Sequence, residues 1–80
     1  MRYVYILRSE KTGQYYYGQT NNLPARLEDH NNGQTKSTKS ARPWRVAWYC
    51  AFVYANQAES FEKYLKTASG KAFAKKRLLP

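Results

Sequence analysis

The chain has 80 residues, enough for one domain with a small core that hides roughly 60–65% of the surface its unfolded form exposes. Fourteen Lys and Arg oppose five carboxylates for a net charge of +9, with a pI of 9.9, and such an excess draws a protein to polyanions, chiefly nucleic acid. A disulfide framework is excluded because Cys50 is alone, and so is a membrane span, since no segment reaches about 18 apolar residues; a soluble, cytoplasmic protein is the expectation.

The opening stretch reads as a hairpin. Tyr3-Val4-Tyr5-Ile6-Leu7 and Tyr15-Tyr16-Tyr17-Gly18 are aromatic and aliphatic runs on either side of a polar turn with Thr12-Gly13. The predicted strands cover 2–8 and about 14–20. A loop this short pairs positions whose numbers sum to an odd value near 21 or 23, so Tyr5 and Tyr16 share one face and Tyr15 and Tyr17 the other. Val and Ile would fill a pleated surface without a hydroxyl, and every buried phenol must find a hydrogen-bond partner. Either the strand pair has a wet face where phenols work, or the tyrosines are amphipathic filler.

Asn21 or Asn22 is a good N-cap, with Pro24 in the first helical turn. Leu23, Leu27 and His30 share a stripe, Arg26 and His30 lie one turn apart, and Asn32-Gly33 ends the helix in a left-handed cap. Gln34 to Arg42 lacks apolar periodicity and reads as a mobile basic loop. Trp44 to Tyr54 is a long, nearly continuous apolar run, expected to be a central strand packed on both faces. Asn56-Gln57-Ala58-Glu59 has the pattern of a capping box, opening a helix with Ala58, Phe61, Leu65 and Ala68 as its stripe. Gly70 is expected to close it, and Lys71 to Leu78 to form a last helix with Ala72 and Phe73 inward. The predicted order is β-β-α-β-α-α, one α+β domain over 1–80 with a small three-stranded antiparallel sheet and helices packed on it.

Few residues can carry chemistry. Glu10 falls in the turn, Glu28 and Asp29 on the solvent side of the first helix, and Glu59 in the cap. Glu62 differs, because it adjoins an apolar stripe that must dock on the sheet; the bland reading is a boundary glutamate paired with a lysine. One His and no Cys pair exclude a His-rich or zinc site, no Gly-rich phosphate loop is present, and Cys50 reads as a small core residue.

Taken in order, Tyr3-Val4-Tyr5, Tyr16-Tyr17-Gly18, Arg26, His30 and Phe61-Glu62-Lys63-Tyr64-Leu65-Lys66 resemble the motifs of the GIY-YIG nucleases, specifically the small stand-alone bacterial type. Tyr3 stands where the family name has Gly, and the family's further polar residue near the end of the module has no clear counterpart among Ser69 to Pro80. The resemblance covers essentially the whole chain and implies a metal-dependent endonuclease acting on DNA, with single-stranded or structured DNA favoured. It implies that Glu62 holds one Mg²⁺ or Mn²⁺ and that Tyr16 accepts the proton of the nucleophilic water. It implies further that Arg26 clamps the phosphate, Tyr5 orients Tyr16 or the water, and His30 hydrogen-bonds a phenol or helps with proton traffic. A phenol with an ordinary pKa near 10 needs positive charge nearby to act near neutrality, and Arg26 would supply it. The catalytic set is thus expected on one wet face, with Tyr15 and Tyr17 packing on the reverse.

Lys36, Lys39 and Arg42 in the loop, and Lys71, Lys75 and Lys76 near the end, are candidates for phosphate contacts. Trp44 or an exposed tyrosine could stack on unpaired bases. Other readings of the same residues are a non-catalytic nucleic-acid-binding module, a nuclease subunit delivered by a protein partner, and cleavage of RNA.

Overall fold

Val4, Tyr5, Ile6 and Leu7 are consecutive and all buried, the mark of a strand covered on both faces. In the computed structural model, which describes residues 1–80, they belong to β1 (Arg2–Ser9), flanked by β2 (Tyr15–Thr20) and β3 (Trp44–Phe52) in an antiparallel sheet of order β2-β1-β3. The helices are α1 (Leu23–Asn31), α2 (Ala55–Leu65) and α3 (Ala68–Arg77), with a 3₁₀ turn at Lys39–Ala41. The α+β order β-β-α-β-α-α is the one expected. The expected central strand is not: β3 is an edge, and its Tyr49 is 56% exposed. Its long apolar run misleads because aromatic rings tolerate a half-open position, whereas the aliphatic residues of β1 do not.

The hairpin has the odd-sum register. Tyr5 pairs with Gly18 and Leu7 with Tyr16, so Tyr5 and Tyr16 are diagonal neighbours on one face. On the β3 side the register shifts beside Ile6, leaving Ala47 without a partner as a bulge. Two cores result. Tyr5 and Leu7 pack with Leu23, Ala41 and Trp44 under α1, while Val4 and Ile6 pack with Ala58, Leu65 and Ala74 under α2 and α3.

Local signals explain α1. The Asn22 side chain accepts from the Ala25 amide at 3.2 Å, Pro24 occupies the first turn, and Gly33 follows the helix at φ 75°. The segment after it is not a mobile loop, because polar contacts replace an apolar stripe. Asn31 clamps Trp44 through both backbone groups at 2.6 and 2.9 Å, the Trp44 indole donates to the Thr38 carbonyl at 2.8 Å, and the Ser9 hydroxyl donates to the Ala41 carbonyl. The Arg42–Pro43 peptide is cis.

The C-terminal half departs from expectation at its caps. Tyr54 precedes α2 without a side-chain cap, and Glu59 pairs instead with Lys63 at 3.0 Å, its partner one turn on. Gly70 lies inside α3 rather than ending α2. Thr67 caps α3 by accepting the Gly70 amide at 3.0 Å, and a Cβ on Gly70 would collide with the Tyr64 carbonyl. Gly70 is therefore a close-approach residue where two helices meet. Ala68 and Ala72 are exposed, Phe73 is only partly covered, and Ala74 faces the core. Cys50 is half-buried on β3 rather than a core residue. No helix is long and apolar enough to cross a membrane.

Candidate active site

The site starts from a missing side chain. Tyr5 leans across the face of the sheet onto β2, where Gly18 stands opposite it. A Cβ at Gly18 would lie 2.5 Å from the Tyr5 hydroxyl oxygen and 2.6 Å from Cζ. Gly18 has no positive φ, so its requirement is space rather than backbone freedom. That space lets a residue of the central strand deliver its phenol to the edge of the sheet.

The phenol there is held by α1. His30 is fully buried, with Nε2 3.1 Å from the Tyr5 oxygen and Nδ1 2.8 Å from Thr38 Oγ1. The Thr38 hydroxyl donates to the Thr35 carbonyl at 3.3 Å, so its oxygen is left to accept from Nδ1–H. Nε2 then accepts the Tyr5 O–H, which assigns the tautomer from the hydrogen-bond network. Burial, helped by the charge of Arg26, holds His30 below its ordinary pKa, so the ring is neutral near pH 7. Burial also pushes the Tyr5 hydroxyl up, against the opposing hydrogen bond and charge of Arg26. Tyr5 is therefore a neutral donor and not a base. It is also buried, so the wet face expected for it is a closed one.

Tyr16 lies at the rim of the same group. It is half-buried, and its ring centre is 4.9 Å from His30, 6.5 Å from Tyr5 and 6.3 Å from Trp44. The Arg26 guanidinium lies beside the Tyr5 phenol, whose proximity raises its own pKa further, and its only ion-pair contact is a loose 3.9 Å approach to Asp29. A permanently charged guanidinium thus borders Tyr5 and is half-open to solvent. Tyr5, Tyr16, Arg26 and His30 come together from β1, β2 and α1.

Glu62 arrives from the other side. The expectation that its helix packs near the Tyr5 face is wrong, because the apolar stripe of α2 sits on Val4 and Ile6 on the reverse face. Its carboxylate is nonetheless turned to the β2 edge. Oε1 accepts from Gln19 Nε2 at 3.0 Å, and Oε2 pairs with Lys66 one turn along α2. Gln19 in turn accepts from Arg2 Nε at 3.1 Å. Glu62 is close enough for its charge to add, as the smallest contribution, to the rise in the Tyr5 pKa. Gln19 and Thr38 are the polar partners that sequence reading missed. Strand parity puts Gln19 on the face of Tyr15 and Tyr17, and only the fold shows that α2 covers that face; Thr38 carries no such signal.

For a divalent ion the donor set is one hard carboxylate. No cluster of three His, Cys, Asp or Glu exists, so Glu62 would bind it with water and phosphate oxygens completing the shell. That fits Mg²⁺ or Mn²⁺ and not a tetrahedral zinc site. Both oxygens are engaged, Oε1 by Gln19 and Oε2 by Lys66, which is about half exposed, so an ion there would have to displace one of these partners.

The basic candidates divide by face. Lys36, Lys39 and Arg42 line one cleft with Lys11 and Ser40 on the α1 side of the sheet. Lys71, Lys75 and Lys76 are exposed on α3, which belongs to the reverse layer. Trp44 is buried in the core and is not a stacking surface, whereas Tyr49 and Tyr54 are exposed. An apolar cleft between Tyr3, Leu23, Leu27, Val46 and Tyr49 contains none of the five candidate catalytic residues.

A UPF0213 protein of Clostridium perfringens is 40% identical over 67 residues, 82% of this chain and 71% of the relative, and one of Bacillus licheniformis is 36% identical over 70 residues, 86% and 71% of the two chains. The solution NMR structure of a UPF0213 protein from Bacillus halodurans aligns over 100% of this chain and 89% of its own, with a TM-score of 0.60 and 28% identity. The GIY-YIG catalytic domain matches residues 1–77. Together with the tyrosine hairpin and the α1 residues that close on it, this means that the chain belongs to the GIY-YIG nuclease family, beside its small UPF0213 members.

Proposed function

We propose that the protein is a divalent-metal-dependent endonuclease that hydrolyses phosphodiester bonds in DNA, single-stranded or structured DNA being favoured. The observation that carries this reading is the convergence on one sheet edge of a half-open guanidinium, two phenols and a neutral imidazole, with one carboxylate presented from the reverse face. A phosphodiester is anionic and repels nucleophiles, so cleavage needs positive charge at the phosphate and an acceptor for the water's proton. Arg26 binds the non-bridging oxygens with the open side of its planar fork. Tyr16, at the rim, acts as its phenolate: it accepts the proton of the attacking water, directly or through a second water, and ends as the neutral phenol. Tyr5 keeps its proton and donates a hydrogen bond to His30, which leaves its oxygen lone pairs facing Arg26. His30 stays neutral and holds Tyr5 in place, with Thr38 fixing its tautomer. Glu62 would hold a Mg²⁺ or Mn²⁺ ion, which when bound would supply Lewis-acid charge for phosphodiester cleavage. Exposed Tyr49 and Tyr54 offer faces for unpaired bases.

A cleavage assay on labelled single-stranded, duplex and branched DNA, and on RNA, tests the reading in Mg²⁺, Mn²⁺ or EDTA. The expected result is cleavage that EDTA abolishes and that falls by about a hundredfold or more in Tyr16→Phe, Arg26→Ala and Glu62→Ala, each variant retaining its circular dichroism. Cleavage in EDTA, or a Glu62→Ala variant that keeps both activity and metal requirement, overturns it. Binding of DNA without cleavage under any condition would make the protein a non-catalytic module or a subunit awaiting a protein partner.

A further inference from the structure

Lys11 belongs to the β1–β2 turn, far in sequence from the segment that follows α1, and the fold brings the two together. Ser9 Oγ takes the Lys11 and Thr12 amides at 3.1 and 2.9 Å and reaches the Ala41 carbonyl, while the Glu10 amide donates to Pro43 at 2.9 Å. Lys11 Nζ then lies 3.3 Å from the Ser40 carbonyl. The Arg42 guanidinium is laid over Gly33, where a Cβ would strike it. The result is a cleft of about 500 Å³ lined by Lys11, Lys36, Lys39, Ser40 and Arg42, with no apolar and no acidic residue in its wall. The three ion pairs of the protein, Arg26–Asp29, Lys63–Glu59 and Lys66–Glu62, leave all four of these cations without a counter-charge. Like charges gathered this way repel one another, and an anion between them removes the repulsion.

We propose that this cleft is a second phosphate-binding subsite, which holds the backbone of a nucleic-acid strand away from the position where that strand would be cut. It opens at the turn end of the hairpin, where β1 ends at Ser9 and the chain turns back on it; Tyr5 and Ser9 are four residues apart, roughly 13 Å along a strand. At a duplex rise of about 3.4 Å per nucleotide, that span corresponds to roughly four nucleotides, and to fewer on a stretched single strand. A chain long enough to cover both places therefore engages the subsite and the candidate active site together, whereas a very short one fills only one of them at a time. It rests on the nucleic-acid part of the proposed function and not on catalysis.

The test is equilibrium binding of fluorescein-labelled oligonucleotides, short ones of about two and long ones of about twenty nucleotides chosen from that span, in EDTA across a salt series. Each phosphate contact contributes about 0.7 to the salt slope for single strands, so Lys11→Gln/Lys36→Gln/Lys39→Gln should lower the slope for the long oligonucleotide by about 2. The slope for the short one should fall by less, because it carries fewer phosphates than the cleft has cations. Lys11→Gln alone, on a turn side chain, should remove about 0.7 and serves if the triple variant fails to fold. The control Lys71→Gln/Lys75→Gln/Lys76→Gln removes the same net charge from the reverse layer and should cost the long oligonucleotide less. An unchanged slope in the cleft variants, or an equal or larger loss in the control, overturns the subsite. Because EDTA suppresses cleavage, a protein that binds as expected but never cuts contradicts the nuclease reading and leaves the subsite standing.

Discussion

Gly18 is the position at which fold and site test one another. Replacing it by Ala puts a Cβ 2.6 Å from Tyr5 Cζ, about 0.9 Å inside the ~3.5 Å separation that carbon atoms prefer. Tyr5 has little room to yield, because it is 1% exposed and bonded to His30. Overpacking of this kind costs about 1–3 kcal/mol, and displacement of the phenol forfeits a hydrogen bond worth about 1 kcal/mol more. Against that, Ala loses less backbone entropy on folding than Gly, which returns about 0.5–1 kcal/mol. The net expectation for Gly18→Ala is a loss of about 1–3 kcal/mol, or roughly 5–20 °C in Tm for a domain of this size.

Thermal unfolding measures that loss, and nitrogen NMR of His30 reports whether Nε2 has lost its proton donor. In a Tyr5→Leu background the clash partner is gone, so the same Gly18→Ala change should be nearly neutral, leaving a coupling energy of about 1 kcal/mol or more. A Gly18→Ala protein that melts within about 2 °C of the parent, with the His30 signals unmoved, would refute the claim that Gly18 exists to pass the Tyr5 phenol.

Gly70→Ala should be worse than Gly18→Ala, because the obstacle is the Tyr64 backbone rather than a ring that can tilt; a loss above about 3 kcal/mol is expected by urea unfolding, and a mild effect would mean that α2 and α3 separate easily. His30 is held neutral in the fold, below its unfolded pKa of about 6.5. Its contribution is thus full above that value, falls as pH drops below it and levels off once the folded ring protonates. His30→Gln should remove that part of the pH dependence of Tm, and an identical acid slope in the two proteins would contradict the assignment. Lys66→Met should change stability by less than about 1 kcal/mol, since the ion pair has one exposed arm. It should nevertheless tighten Mn²⁺ binding in calorimetry by freeing a Glu62 oxygen; unchanged or weaker binding would argue that Lys66 does not compete with the ion.

Much of the fold was legible because hairpins and helix caps are local. The parity of a short turn sets Tyr5 and Tyr16 on one face, and Asn22, Pro24 and Gly33 bracket α1 by rules that act within a few residues. What failed depended on partners distant in sequence. Centrality in the sheet follows from what covers a strand, so the aliphatic run of β1 outranked the longer aromatic run of β3. Gly70 looked like a stop because glycine often is one, yet its role is set by the Tyr64 carbonyl it must clear. The segment from Gln34 to Arg42 showed no periodicity because Asn31, Thr38 and Ser9 order it by hydrogen bonds, and such bonds leave no repeat in the sequence.

The site divides in the same way. Which residues to watch was readable; which side of the sheet they come from was not. Alternation alone places Tyr5 beside Tyr16, and helical spacing places Arg26 beside His30, but the apolar stripe that flags Glu62 does not say which face it will cover. Because α2 took the face opposite α1, the carboxylate meets the phenols only at an edge strand. Gly18 and Gln19 are adjacent there and point to opposite faces, the first leaving space for Tyr5 and the second holding Glu62. The two halves of the candidate site are therefore joined through one dipeptide of β2. Shifting β2 by one residue would exchange those roles and separate the halves, so the hairpin register is as much a condition for the site as any side chain in it.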